Sequence, residues 1–157
     1  MSNDSAELTI TPVGIGGSVR EHRWSWKGKA MTLMYEVLGE GKPILLLPAL
    51  STVSSRTEMR GLAQELAANY QVFAIDWIGF GESAHPALHY TPALLETCLR
   101  SFVSSLFSEP IIVIAAGHAA GYVMELAQRP PVPWQWVVLV CPTWRDPLPT
   151  FMGEHRW

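Results

Sequence analysis

An α/β architecture, with a mostly parallel, doubly wound sheet of about six strands and three main helices, is expected on three grounds. The first is a set of unbroken apolar runs, Ile44–Leu47, Val72–Ile75, Ile111–Ile114 and Val137–Val140, the pattern of strands covered on both faces. The second is that amphipathic helical signals fall between those runs. The third is size: 157 residues, 48% of them apolar, suffice for one domain with a sizeable core.

The elements follow in order. Residues 1–20 are polar and include Gly14, Gly16 and Gly17, so they read as a mobile arm, with the domain over 21–157. Between Trp24 and Leu38, Leu33, Tyr35 and Val37 alternate with Thr32, Met34 and Glu36, a strand pair ending at Gly39-Glu40-Gly41. After Ile44–Leu47, Ser55-Arg56-Thr57-Glu58 forms a capping box. Met59, Leu62, Ala63 and Leu66 then trace one helical stripe, stopping near Asn69. After Val72–Ile75, Thr91 and Pro92 open a second helix whose stripe is Leu95, Cys98, Leu99, Phe102 and Leu106. A third helix is expected from Ala120 to Gln128, closed by Arg129-Pro130-Pro131.

Composition excludes several classes of function. Only 16% of residues are charged and the net charge is −3, with no basic cluster, so neither nucleic acid nor an anionic lipid surface is an expected partner. No apolar run approaches the length that spans a bilayer, and the first residues lack a secretory signal, which together imply a cytoplasmic protein. Cys98 and Cys141 fit neither a disulfide framework nor a zinc site, and no cofactor or metal is implied. His85 and His89 sit in a loop without acidic or thiol neighbours in sequence, a poor metal site. Seven tryptophans fit a core, and Trp is also a favoured anchor for protein partners.

Ligands in doubly wound sheets bind at the strand carboxyl ends. That places Pro48–Ser55, Asp76–Pro86, Ala116–Ala120 and Cys141–Asp146 on the functional edge. In Ala116-Gly117-His118-Ala119-Ala120-Gly121, small residues flank one position on both sides, as a sharp strand-to-helix bend requires. Asp76-Trp77-Ile78-Gly79-Phe80-Gly81-Glu82-Ser83 supplies a second motif, with Asp76, Gly79, Gly81 and Ser83 read as loop-bracing positions. Ser51, Thr52, Ser54 and Ser55 place hydroxyls at the mouth of a pocket, although turns and helix capping also account for them.

On these motifs the chain resembles the first half of the α/β-hydrolase family, from about Trp24 to Asp146. The resemblance implies a nucleophile elbow framed by Gly117 and Gly121, whose nucleophile position is filled by Ala119. A methyl group cannot attack a carbonyl. It also implies an oxyanion hole made of the Leu50 and Ala120 amides, with Ser51 and His118 beside the ligand. The family's His-Gly after the third strand is replaced here by Pro48-Ala49. Asp146 matches a variant place for the triad acid, but His155 lies too early to be the triad base. Losing a triad nucleophile costs roughly 10⁶ in rate.

The expected function is therefore that of a hydrolase-like protein without hydrolase catalysis, serving in small-molecule binding or protein interaction. The alternative is a truncated or divergent hydrolase of ester- or amide-type small molecules, with catalytic residues outside this chain. If the chain ends at Trp157, Val137–Val140 is an open apolar edge, and a second subunit or another protein is expected to cover it.

Overall fold

The computed structural model describes residues 12–143. The strands are β1 (Ser18–Trp26), β2 (Lys29–Leu38), β3 (Lys42–Leu47), β4 (Tyr70–Ile75), β5 (Ile111–Ala116) and β6 (Trp134–Val140). The helices are α1 (Arg60–Leu66), α2 (Pro92–Leu106) and α3 (Ala119–Ala127). One six-stranded sheet results, in the order β1-β2-β4-β3-β5-β6. β1 and β2 pair antiparallel, as do β2 and β4, whereas the β3–β4, β3–β5 and β5–β6 pairs are parallel. Lys27 and Gly28, at φ 47° and 79°, close the β1–β2 hairpin. Positive φ at both positions gives the turn the twist that matches the flanking strands.

Alternation along β3 builds a core on each face. Leu45 and Leu47 pack with α2 and α3, while Ile44 and Leu46 pack with Met59, Ala63 and Ile15. Each fully buried leucine contributes about 1.5–3 kcal/mol of transfer free energy. On α2, Thr91 Oγ1 accepts from the Leu94 amide at 3.3 Å, Pro92 occupies the first turn, and Leu94, Leu95, Cys98, Leu99, Phe102 and Val103 are buried. Burial also pushes the Cys98 thiol up to about 12.

The structure departs from the sequence expectations in three places. A mobile arm is expected through residue 20, yet Ile15 is fully buried and β1 begins at Ser18. The amides of Ile15, Gly16 and Gly17 donate to the Glu36 carboxylate at 2.6–2.9 Å, which holds this stretch against β2. The helix expected from Ser55 begins as a 3-10 turn over Arg56–Met59. Its three residues per turn rotate the stripe, so Arg56 points inward and Leu62 is exposed. The capping box is half made: Ser55 Oγ accepts from the Thr57 amide, while Glu58 accepts instead from Ala49 and Ser54.

The third departure is β6, expected to be covered on both faces. Trp136, Val138 and Val140 are exposed, Trp136 by 67%, on the sheet face they share with Ile112, Ile114 and Ala116. α1 is packed with β4 on that face, and no described element covers Trp136, Val138 and Val140 there, whereas α3 reaches β6 from the other face through Trp134. No helix among the described residues is long and apolar enough to cross a membrane.

Candidate functional site

The loops after β3, β4, β5 and β6 converge at the strand carboxyl ends. Leu47 pairs with Ala115 across the β3–β5 ladder, which sets the Pro48–Ser55 loop beside the bend after β5. Trp77, the second residue of the β4 loop, is fully buried and donates its indole N–H to the Pro48 carbonyl at 3.0 Å. Its ring lies 5.7 Å from that of Tyr122 on α3. One side chain thereby ties the β3 loop, the β4 loop and α3 together.

The Asp76 loop has a rigid frame. Asp76 is fully buried and accepts from the Arg56 amide at 2.6 Å, from the Glu82 amide at 2.9 Å and from the Arg56 guanidinium. Ser83 Oγ donates to the Asp76 carbonyl at 2.6 Å and accepts from the Met34 amide at 2.7 Å. Gly81, at φ 50°, leaves room for the Asp76 carboxylate where a Cβ would collide, and Gly79, at φ 84°, does the same for the Tyr90 ring. The motif's acid, two glycines and serine are thus each explained by the loop's own architecture.

Arg56 itself carries no motif signature, and spacing alone does not find it. Its guanidinium also reaches Glu36 at 2.8 Å and Glu82. Burial opposes ionisation of Glu36, but Arg56 and the amides of Ile15 and Gly17 outweigh it and hold that carboxyl below its ordinary value. The same balance runs the other way for Arg56, where burial lowers the pKa and the Glu36, Glu82 and Asp76 carboxylates raise it above the ordinary value. Only one sequence feature hints at the cluster: Glu36 lies within a strand whose neighbouring positions are apolar.

The bend after β5 sits two residues before the expected place. Gly117 carries φ 51°, His118 already has helical angles, and α3 starts at Ala119, whose side chain is fully buried. Gly117 N–H donates to the Val140 carbonyl at 2.9 Å, joining the bend to the end of β6. A Cβ at Gly117 would meet the Ala49 methyl at 3.3 Å, so the bend aims directly at the β3 loop. The Ala120 amide, expected to face a ligand, donates to the Gly117 carbonyl at 3.3 Å, and Gly121 donates to His118 at 3.2 Å. Helix geometry leaves the His118 and Ala119 amides without intrahelical acceptors.

The remaining edge residues are as follows. Leu50 is buried, and Ser51 shares a 2.8 Å hydroxyl contact with Ser54 that closes the turn on itself. His118 is half-buried, with Nδ1 3.4 Å from Thr143 Oγ1. Burial is the main cause raising the Glu58 carboxyl above its ordinary value, opposed by its bonds from Ala49 and Ser54. His85 lies against the Gly81 carbonyl, and no trio of His, Cys, Asp or Glu positioned for a metal occurs among the described residues. Asp146 lies outside the described residues. Chemically, the edge offers backbone donors and a half-buried imidazole, with no side chain on the residue that makes the bend.

Comparison with known proteins places these features in context. A family model described as the alpha/beta hydrolase family matches residues 44–156. An uncharacterized protein of Mycobacterium tuberculosis is 28% identical over 97 residues, covering 62% of this chain and 28% of the relative. A 2-hydroxy-6-oxo-6-(2'-aminophenyl)hexa-2,4-dienoic acid hydrolase of Metapseudomonas resinovorans is 27% identical over 88 residues, covering 55% of this chain and 30% of that enzyme. Among solved structures, a probable hydrolytic enzyme of Pseudomonas aeruginosa superposes with a TM-score of 0.69 at 22% identity, over 81% of this chain and 42% of that one. The chain therefore spans less than half the length of each of these three proteins.

Proposed function

From the premise that this chain belongs to the alpha/beta hydrolase family, we propose that it is a member without hydrolytic chemistry of its own, binding a small molecule or a protein through the strand carboxyl edge. One observation carries this reading: the residue making the strand-to-helix bend is Gly117, with φ 51° and no side chain. The neighbour expected to replace the nucleophile, Ala119, offers only a buried methyl. Neither residue can form a covalent acyl intermediate. The amides at the start of α3 supply hydrogen-bond donors and a favourable dipole for a ligand oxygen, because backbone donors survive the loss of a side chain.

The test uses p-nitrophenyl acetate and butyrate with the full chain. Hydrolysis at the rate of the protein-free buffer is expected, together with no covalent adduct from a serine-directed phosphonate. Gly117→Ser and Ala119→Ser, made separately, are each expected to remain without enzyme-level turnover. Saturable turnover by the unsubstituted chain, lost on changing one of its residues, overturns the proposal.

Coverage of only 42% of the solved relative favours a second reading, in which this sequence is one portion of a longer or divergent hydrolase whose catalytic residues all lie beyond it. Under that reading, adding the following coding sequence restores turnover. Under the first reading, such extension leaves the protein inactive.

A further inference from the structure

We infer that the opposite end of the sheet holds a separate site for a small organic monocarboxylate with an aromatic or branched apolar body. A cavity of about 650 Å³ opens there, where β3, β4, β5 and β6 begin. Its size falls within the range of small-molecule pockets, and it lies far from the loops at the carboxyl edge. Phe73, Leu106, Phe107 and Ile111 give it an apolar wall on the α2 side of the sheet, and Ile112 lines it from the other face. Phe73 and Phe107 meet edge to face, with centroids 4.9 Å apart and planes at 81°. A further ring can extend such a herringbone contact.

The rim decides the charge of the ligand. Lys42, Gln71 and Gln135, near the starts of β3, β4 and β6, all line this cavity. Lys42 is exposed and has no ion-pair partner among the described residues. Its ammonium and the two amides can all donate to a carboxylate. On the loop between α2 and β5, Glu109 supplies a negative charge at the same rim, which disfavours a second anionic group. An adjoining cavity of about 540 Å³ shares that loop, but its cation, Arg100, is already paired with Glu96 at 3.2 Å. Of these two adjoining cavities, the first is the one whose cation is uncommitted.

The experiment is a ¹H–¹⁵N titration of the 157-residue chain with 3-phenylpropionate and, separately, with its neutral counterpart 3-phenylpropan-1-ol. A dissociation constant near 1 mM is expected for an acid of this size, with shifts concentrated at Gln71, Phe107–Ile112 and Gln135. The alcohol is expected to bind about fivefold more weakly, the contribution of one exposed charge pair. Lys42→Met removes that difference. Gln135→Lys, at another exposed rim position, strengthens acid binding by about the same factor. The inference is overturned by equal affinity for acid and alcohol, by unchanged acid binding in Lys42→Met, or by shifts centred on Leu50, Gly117 and His118. Absence of saturable shifts up to about 10 mM, tenfold above the expected constant, overturns it as well.

Discussion

Arg56 and Asp76 form a buried ion pair between the 3-10 turn and the loop after β4, with side chains 2% and 1% exposed. Asp76 also accepts from the Arg56 backbone amide at 2.6 Å, so one residue binds this carboxylate through both its main chain and its side chain. Removing the guanidinium leaves the buried Glu36 and Asp76 carboxyls without their countercharge. Arg56→Met is expected to lower the unfolding free energy by about 3–5 kcal/mol, read from urea denaturation. A loss below about 1 kcal/mol contradicts the buried-network description.

Gly81 tests the fit of the loop around the same carboxylate. Gly81→Ala places a methyl on Asp76 at a φ of 50° that side chains rarely adopt. The expected cost is about 1–3 kcal/mol, visible as a lower melting temperature. Gly28→Ala, with open space around its Cβ, bears only the conformational penalty of about 1 kcal/mol.

The position of the bend has its own test. Ala119 begins α3 and its methyl is buried, so Ala119→Gly is expected to destabilise by about 1 kcal/mol. Were Ala119 instead the strained apex, glycine there would stabilise. Equilibrium unfolding gives the sign of the effect.

Acid sensitivity follows from two groups. Desolvation lowers the His22 pKa from its ordinary 6.5, and the Arg56 and amide bonds lower that of Glu36 from 4.5. In both cases the unfolded chain takes up a proton more readily than the folded one. The His22 contribution is complete above pH 6.5 and is lost as the pH falls from there through its lowered folded value. The Glu36 contribution behaves in the same way below pH 4.5. Glu58, shifted upward, works in the opposite sense and softens the lower step. Stability measured from pH 8 to pH 3 should fall with decreasing pH, and His22→Phe should flatten the upper part of the curve.

The thiols divide cleanly. Cys98 is fully buried, with its pKa pushed up to about 12, and Cys141 is exposed. Iodoacetamide under native conditions is expected to add a single label, on Cys141, with the second appearing only in denaturant. Native labelling of Cys98 means that α2 does not pack as described.

The sheet was legible in the sequence because its strands and helices announce themselves by period and by punctuation. Thr91-Pro92 marked α2, and the apolar runs marked β3 to β6, since each is a local signal. What spacing could not reveal was geometry set by distant partners. Arg56 resembles a solvated helix-start residue until Glu36 from β2, with Asp76 and Glu82 from the loop after β4, surround it. Likewise, the small residues on either side of His118, from Ala115 to Gly121, permit a bend in either of two frames. Only the backbone angles, with positive φ at Gly117, choose between them.

β4 lies on one side of β3 and β5 on the other. Consecutive crossovers therefore part at β3, and the loops beyond β3 and β5 are set side by side by the direction of winding alone. That juxtaposition needs no reactive atom to persist. It follows from which strand each crossover reaches, and it stays the same whatever side chain stands at position 117 or 119.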